Sequence, residues 1–128
     1  KYKKFEQIEK DLFTTKLNGY WGIINSSGKI LVKNEHEKIK PLLNIYLLKK
    51  YDKYGLANKK GEIIFETKYD NIKILDEYIV IKKDKKCALL DSYGNLLTDI
   101  EYKDFRLNRN SVEAKVPKLG WIKILEQE

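Results

Sequence analysis

Short apolar runs alternate with polar stretches along this chain, and turn-forming residues separate them. The apolar run 20–24 is followed by the polar residues 25–29 and then by a second apolar run, 30–32. Runs of this length between turn signals, rich in aromatic and β-branched residues, are typical of β-strands. The hydrophobic pattern therefore predicts strand pairs joined by short turns.

The same pattern returns at a fixed distance. Three kinds of residue recur every 33 positions: a turn glycine, an Asn or Asp three residues before it, and a bulky residue seven before it. They are Gly28, Gly61 and Gly94; Asn25, Asn58 and Asp91; and Trp21, Tyr54 and Cys87. A period between about 20 and 50 residues is the signature of a repeat architecture. The chain is therefore read as a tandem array.

Each repeat contains two predicted turns. Asn18-Gly19 predicts a two-residue type I′ hairpin, because both residues tolerate a positive φ. Asn25 with Gly28 predicts a type I turn that closes with glycine in the left-handed region, a G1-bulge hairpin. A repeat then reads strand, tight turn, strand, bulged turn, strand. The weaker counterparts of the tight turn are Tyr51-Asp52, Asp84-Lys85 and Pro117-Lys118.

We predict an all-β fold, a tandem array of about four three-stranded antiparallel β-hairpin repeats of about 33 residues each. The repeats cover residues 2–33, 34–66, 67–99 and 100–128, and they form a single repeat domain over 1–128. The last repeat is incomplete, since no turn glycine follows Trp121. Atypical terminal repeats are expected of such arrays.

The first 16 residues allow two interpretations. Tyr2, Phe5, Ile8 and Leu12 have roughly helical spacing, which alone predicts an amphipathic helix. The repeat frame instead aligns residues 12–17 with an aromatic and β-branched run further along the chain, which favours a strand. For residues 2–10 a strand and a short helical turn both stay open.

A resemblance to a known family follows from these residues. The segment Gly-Tyr-Trp-Gly-Ile-Ile-Asn-x-x-Gly-Lys-Ile-Leu, with Tyr-x-x-Ile between copies, is similar to the WG repeats (also called KWG repeats) of bacterial proteins. The likeness covers nearly the whole chain; it is strongest at Trp21-Gly22, weaker at Tyr54-Gly55 and degraded at Cys87-Ala88. The resemblance implies short β-hairpin repeats in bacterial, often surface-associated or multidomain, proteins. It implies no catalytic machinery, cofactor or settled ligand.

The small residue after the bulky one has a physical interpretation. Gly22, Gly55 and Ala88 keep this strand position small. A glycine inside a strand commonly marks the close approach of another group. We expect packing rather than ligand binding, with an aromatic side chain of a neighbouring repeat lying across the position.

Composition excludes some classes of protein. The chain is 42% hydrophobic and 35% charged, as in globular rather than disordered proteins. No apolar run approaches the ~20 residues of a transmembrane helix. One cysteine excludes an internal disulfide. Because the chain contains no methionine, we expect residue 1 to be internal to a longer protein. The compartment is open: we expect the protein to be cytoplasmic, or exported if a signal precedes residue 1.

Lysine recurs with the same period. Lys16, Lys49, Lys82 and Lys115 each stand two residues before a tight turn, and the net charge is +7. This row predicts a basic stripe for an extended anionic polymer, such as nucleic acid or surface polysaccharide. The alternative is that exposed hairpin tips are lysine-rich, which deters edge pairing. With only two arginines, bidentate phosphate binding is disfavoured.

Two tyrosines are further candidates for partner contact. Tyr51 and Tyr93 fall in predicted turns, so we expect them to be exposed. Most other rings occupy fixed repeat positions, which is typical of core filling.

Catalytic interpretations are weak. The single histidine, His36, occupies the position of Tyr69 and Tyr102, so a packed ring is expected. Cys87 occupies the position of Trp21 and is expected to be a small buried residue. No metal-ligand spacing or phosphate-binding glycine loop occurs.

We therefore expect a non-enzymatic protein-interaction module with no cofactor and no metal. Another protein is the expected partner, contacted through Lys16, Lys49, Lys82, Lys115, Tyr51 and Tyr93. Two alternatives stay open: a basic module that binds an anionic polymer, and a small immunity or inhibitor protein that covers an acidic partner. The sequence does not determine the oligomeric state.

Overall fold

A computed structural model describes residues 4–127 of the chain. Within that range the protein forms 14 β-strands and no helix, which confirms the predicted all-β fold. The start of the first predicted repeat, with Tyr2, lies outside the described residues. No segment of residues 4–127 has the helical length and apolarity of a membrane span.

The strands form four small antiparallel sheets in which neighbours in sequence pair with each other. Sheet 1 contains β1 (Lys4–Glu9), β2 (Leu12–Leu17), β3 (Tyr20–Asn25) and β4 (Ile30–His36). Sheet 2 contains β5 (Lys38–Leu42), β6 (Ile45–Lys50), β7 (Lys53–Ala57) and β8 (Ile63–Tyr69). Sheet 3 contains β9 (Asn71–Leu75), β10 (Tyr78–Lys83) and β11 (Lys86–Leu90), and sheet 4 contains β12 (Asp104–Asn108), β13 (Ser111–Val116) and β14 (Gly120–Glu126). Tandem hairpin repeats are thus confirmed.

The chain divides into two compact units, unit 1 up to Lys68 and unit 2 from Tyr69 onwards. Each unit contains a core that draws alternate residues from its strands, as the two-residue period of a strand requires. The buried core of unit 1 contains Leu12, Ile23, Val32, Tyr46, Leu48 and Ala57. The buried core of unit 2 contains Tyr78, Val80, Cys87, Leu89, Phe105, Val112 and Ala114.

The tight turns follow the prediction in three of the four repeats. Asn18 and Gly19 have φ values of 54° and 86°, so both central residues are left-handed, as a type I′ turn requires. Tyr51-Asp52 and Asp84-Lys85 also have two positive φ values. The fourth turn is longer than predicted, since Val116 pairs with Gly120 and three residues lie between them.

The bulged turns are confirmed. Gly28, Gly61 and Gly94 have φ values of 88°, 83° and 86°. In the first turn, Asn25 Oδ1 accepts hydrogen bonds from the main-chain N–H groups of Ser27 (3.0 Å) and Lys29 (2.9 Å). Asn58 and Asp91 accept the equivalent bonds in the other two turns. The repeated Asn or Asp is therefore explained by capping of the turn.

The number of strands per repeat differs from the prediction. Sheets 1 and 2 have four strands rather than three, because the segment after each predicted connector is also a strand. These additional strands, β5, β9 and β12, open the later sheets; their hairpins turn at Leu43, Asp76 and Arg109, all with positive φ. Leu43 and Arg109 give no turn signal, and Asp76 gives one that the prediction did not use. Residues 4–9 and 12–17 are strands, and the helical interpretation is wrong there.

In sheets 1 and 2 the position after the bulky residue is glycine because another group packs closely against it, but that group is not the aromatic side chain that the sequence predicted. A Cβ on Gly22 would lie 2.5 Å from the carbonyl oxygen of Val32, and one on Gly55 would lie 2.5 Å from that of Phe65. The close neighbour is therefore the main chain of the next strand, not an aromatic side chain of another repeat. Real Cβ atoms do not approach an oxygen so closely.

Replacement of Gly55 by alanine should destabilise unit 1. The new Cβ would force the main chain of β8 to move, and overpacking of this kind costs about 1–3 kcal/mol. Urea unfolding followed by circular dichroism measures the change. The matched control is Ala88→Gly, at the equivalent position of sheet 3, which should cost only about 0.5–1 kcal/mol. Equal losses in the two variants would contradict the steric explanation.

Acid unfolding should depend on Asp91. Burial raises the pKa of this carboxyl, but hydrogen bonds from Asn95, Tyr93 and Gly94 lower it more, so its pKa lies below the usual value. As the pH falls, the unfolded chain binds the proton first; the stabilisation from Asp91 is present above about pH 4 and is lost as the pH falls through the lower folded value.

Asp91→Asn tests this linkage, because Asn25 and Asn58 accept the same hydrogen bonds in the other turns. We expect the free energy of unfolding at neutral pH to change by no more than about 1 kcal/mol, with a smaller loss of stability between about pH 5 and pH 2. Urea titrations at several pH values measure both. An unchanged pH profile would show that Asp91 does not contribute.

Candidate functional site

The four periodic lysines occupy one equivalent place in the fold. Each lies directly across a hairpin from the residue at the bulky position: Lys16 from Trp21, Lys49 from Tyr54, Lys82 from Cys87 and Lys115 from Trp121. Each lysine belongs to a different sheet, and each of the two compact units contains two of them. The period is thus explained by cross-strand pairing.

Three of these lysines lie over an aromatic ring. The Nζ atoms of Lys16, Lys49 and Lys115 are 5.5, 6.0 and 5.9 Å from the ring centroids of Trp21, Tyr54 and Trp121. An ammonium within about 6 Å of a ring face is attracted by the ring quadrupole. Their contacts therefore have a structural function in the hairpin, whatever else they bind.

Lys82 lacks such a ring. It faces Cys87, and both residues line a small cavity of about 120 Å³ together with Lys73 and Asp104. Lys73 Nζ donates to Asp104 Oδ1 at 3.1 Å. Burial raises the pKa of the Cys87 thiol, so the thiol is protonated at neutral pH and is a weak nucleophile.

The ring of Trp121 has a second cation above it. The guanidinium carbon of Arg106 is 4.2 Å from the ring centroid, and Arg106 Nε donates to Glu113 Oε1 at 2.8 Å. The hydrogen bond from Arg106 lowers the pKa of Glu113. Arg106 is therefore held between the ring and a carboxylate.

Both candidate tyrosines are exposed, as predicted. Tyr93 is 60% exposed, and its N–H donates to Asp91 Oδ1 in the bulged turn. Tyr51 is 76% exposed in the tight turn, with a φ of 52°. Its N–H donates to Glu37 Oε2 at 3.2 Å, which fixes the turn; the ring is largely in solvent, with Lys50 Nζ 5.7 Å from its centroid.

Tyr51 lies beside a shallow depression that the sequence did not indicate. The depression has a volume of about 260 Å³, and its lining residues are Tyr20, Asn34, Glu35, Lys50 and Tyr51, which we call the Tyr20–Tyr51 surface. A second depression of about 310 Å³ shares Glu35 and Lys50 with the first. Lys50 Nζ donates to Glu35 Oε1 at 3.0 Å between the two depressions. The hydrogen bond from Lys50 lowers the pKa of Glu35.

Asn34 positions one side of this surface. Its Nδ2 donates to the main-chain oxygens of Thr15 (2.9 Å) and Tyr20 (3.3 Å). These bonds join β4 to the end of the β2–β3 hairpin, next to the point where the main chain of β4 passes over Gly22. Tyr20 and Glu35, which are 15 residues apart, thereby come to one surface.

Sequence reasoning identified only Tyr51 within this surface. Tyr20 begins β3, whereas Asn34 and Glu35 are neighbours in β4, and no sequence pattern places these two segments beside Tyr51. Among the predicted site residues, Lys16, Lys49, Lys82, Lys115 and Tyr93 do not line it.

His36 and Cys87 lie where rings are found in other repeats. His36 ends β4 as Tyr69 ends β8, and both are buried. Burial lowers the pKa of His36, although hydrogen bonds with the carbonyls of Lys33 and Trp21 oppose this shift. Residues 4–127 contain no group of three or more His, Cys, Asp or Glu side chains suited to a metal ion.

One repeat of the chain matches the model of a known protein family. Residues 54–87 match the model of the family described as WG containing repeat. This span runs from Tyr54 to Cys87, which is one full period between equivalent positions. No curated protein matches the chain. The predicted resemblance is confirmed, and the chain contains a WG repeat.

Proposed function

We propose that this chain is a non-enzymatic protein-interaction module that contacts a partner protein through the Tyr20–Tyr51 surface. Repeat domains commonly bind through extended surfaces built from equivalent elements. The partner would cover Tyr51 and Tyr20 and the Glu35–Lys50 ion pair between the two depressions.

The backbone conformation and the exposed ring of Tyr51 support this proposal most directly. A left-handed residue with a side chain costs about 1–2 kcal/mol, and Asn or Gly lessens this cost. The equivalent tight turns have Asn18 and Asp84 at this place. The hairpin requires a positive φ at this position but does not require a tyrosine, so Tyr51 keeps both the backbone strain and a largely exposed ring. Strain of this kind at an exposed residue is an argument for function.

The chemistry of the surface suits a protein partner. Tyrosine is enriched among the residues that dominate binding energy, because its ring buries a large area at low entropic cost. Within the covered area the two tyrosines would supply the apolar contact, and the Glu35–Lys50 pair would lie towards its polar rim. Rim charges affect association rate and specificity more than affinity.

We propose no enzymatic activity because the candidate reactive side chains pack in the core. His36 and Cys87 are buried at positions that hold tyrosine or tryptophan in other repeats. Their burial is consistent with core side chains rather than with a general base or a nucleophile.

An anionic polymer is the second candidate partner. It is favoured by the net charge of +7 and by the exposed cations above Trp121, Lys115 and Arg106. Cations interleaved with aromatic rings are typical of single-stranded nucleic acid binding. The immunity or inhibitor alternative is a special case of the protein-binding proposal, with an acidic partner.

Tyr51→Asn should separate function from stability. Because asparagine adopts positive φ more easily than tyrosine, we expect the free energy of unfolding to stay equal or to rise by about 0.5–1 kcal/mol. Partner binding should fall at least about tenfold with the loss of the central ring. Quantitative mass spectrometry of proteins recovered from the source cells identifies the partner, and calorimetry with the purified partner measures the affinity.

Leu119→Asn is the control, since Leu119 is also 76% exposed in a hairpin turn, the longer one between β13 and β14, but lies in unit 2. It should leave recovery of the same partner unchanged. Equal recovery by the wild-type chain and the Tyr51→Asn variant would refute the assignment of this surface.

Retention on heparin or single-stranded DNA tests the polymer alternative. If that alternative holds, retention falls steeply with salt and is lost in the variant with Lys49, Lys82 and Lys115 replaced by Glu, because bound cations release counterions. A complex that survives about 0.5 M salt and is lost only in Tyr51→Asn would instead support the protein partner. Far-UV circular dichroism controls for folding of the triple variant.

A further inference from the structure

Unit 2 contains a groove that has no counterpart among the predicted sites. After the bulged turn at Gly94, residues 96–101 form no strand, although sheets 1 and 2 have β4 and β8 at this place. The Oγ1 of Thr98 accepts the N–H of Leu89 at 3.0 Å, whereas the carbonyl oxygen of Leu89 accepts the N–H of Leu97 at 2.8 Å, so main-chain pairing is only partial there. The segment therefore follows β11 without a continuous ladder.

The groove beside this segment is open, and both apolar and polar side chains line it. We call it the unit 2 groove; it has a volume of about 470 Å³. Its apolar lining residues are Leu89, Leu96, Leu97, Tyr102, Ile124 and Leu125. Leu96 and Leu97 are 51% and 46% exposed. Apolar area of this kind gains free energy when a partner removes it from water, by about 25 cal/mol per Å².

A β-bulge contributes to the wall of the groove formed by β14. Val112 pairs with Leu125 and Glu113 pairs with Lys123, so Ile124 is an extra residue in β14. Ile124 and Leu125 both pack against the core of unit 2, although neighbours in a regular strand point to opposite faces. This wall is therefore supported by the core.

The charge of the groove is opposite to that of the whole chain. Asp99 and Glu101 also line it, and no lysine or arginine does. Neither carboxylate has an ion pair among residues 4–127, whereas Asp104, Glu113 and Glu126 in the same unit are all paired. Two unpaired carboxylates beside exposed leucines are thus available to a cationic ligand, in a chain with net charge +7.

We propose that the unit 2 groove binds an extended peptide segment of a partner protein, in which a bulky apolar side chain is flanked by lysine or arginine. The apolar side chain covers Leu96 and Leu97, and the cations pair with Asp99 and Glu101. Complementary charge selects such a segment over acidic ones. This site lies on residues other than the Tyr20–Tyr51 surface, so each can fail independently.

A labelled peptide tests the proposal. The probe is fluorescein-Gly-Lys-Leu-Phe-Leu-Lys-Gly, titrated with the full chain and followed by fluorescence anisotropy. We expect saturable binding that weakens at least about tenfold in Leu97→Ser and in the double variant Asp99→Asn with Glu101→Gln. The same peptide with both lysines replaced by glutamate should not bind. The double variant changes only the exposed rim charges, so its effect does not depend on refolding of the core.

Tyr51→Asn is the control variant and should bind the peptide as the wild-type chain does. Chemical shift changes in labelled protein should centre on residues 96–101 and on Ile124 and Leu125. Equal affinity for the lysine and glutamate peptides, or binding unaffected by both groove variants, would overturn the proposal. So would a dimer in sedimentation that Leu97→Ser abolishes, because a second copy would then occupy the groove.

Discussion

The main-chain contact over Gly22 and Gly55 is the constraint on which the local structure depends. A carbonyl oxygen lies 2.5 Å from the place that a Cβ would take at each glycine. This approach allows β4 and β8 to pair closely with β3 and β7 after the bulged turns. In sheet 1 it also brings Asn34 to the β2–β3 hairpin, where Asn34 fixes one side of the Tyr20–Tyr51 surface. Packing of one glycine therefore positions a candidate binding surface.

The later repeats lack this contact and expose different residues. Ala88 and Ile122 follow the bulky position there, and their Cβ atoms exclude an approach as close as that over Gly22. Sheets 3 and 4 have three strands each, and residues 96–101 make no continuous ladder. The unit 2 groove lies beside that segment. The repeats thus differ at the position of Gly22 and Ala88, and they also differ in the surface that they expose: the Tyr20–Tyr51 surface in unit 1 and the groove in unit 2.

Local chemistry explains which features the sequence predicted. Asn or Asp followed by Gly three residues later caps its own turn through hydrogen bonds two and four residues away, so the bulged turns could be identified without the fold. The hairpins at Leu43 and Arg109 could not, since these residues adopt positive φ with no local preference for it. Exposure of Tyr51 followed from its turn, but its neighbours Tyr20 and Glu35 are distant in sequence.

The sequence by itself determined the all-β class, the 33-residue period, the bulged turns, three of the tight turns and the WG resemblance. Each of these depends on contacts between residues a few positions apart, or on the repetition of such contacts along the chain. The tertiary structure decided the strands that open the later sheets (β5, β9 and β12), the division into two compact units, the Tyr20–Tyr51 surface and the unit 2 groove. These depend on how closely one strand can approach another and on which side chains then meet, and such distances exist only once the chain has packed.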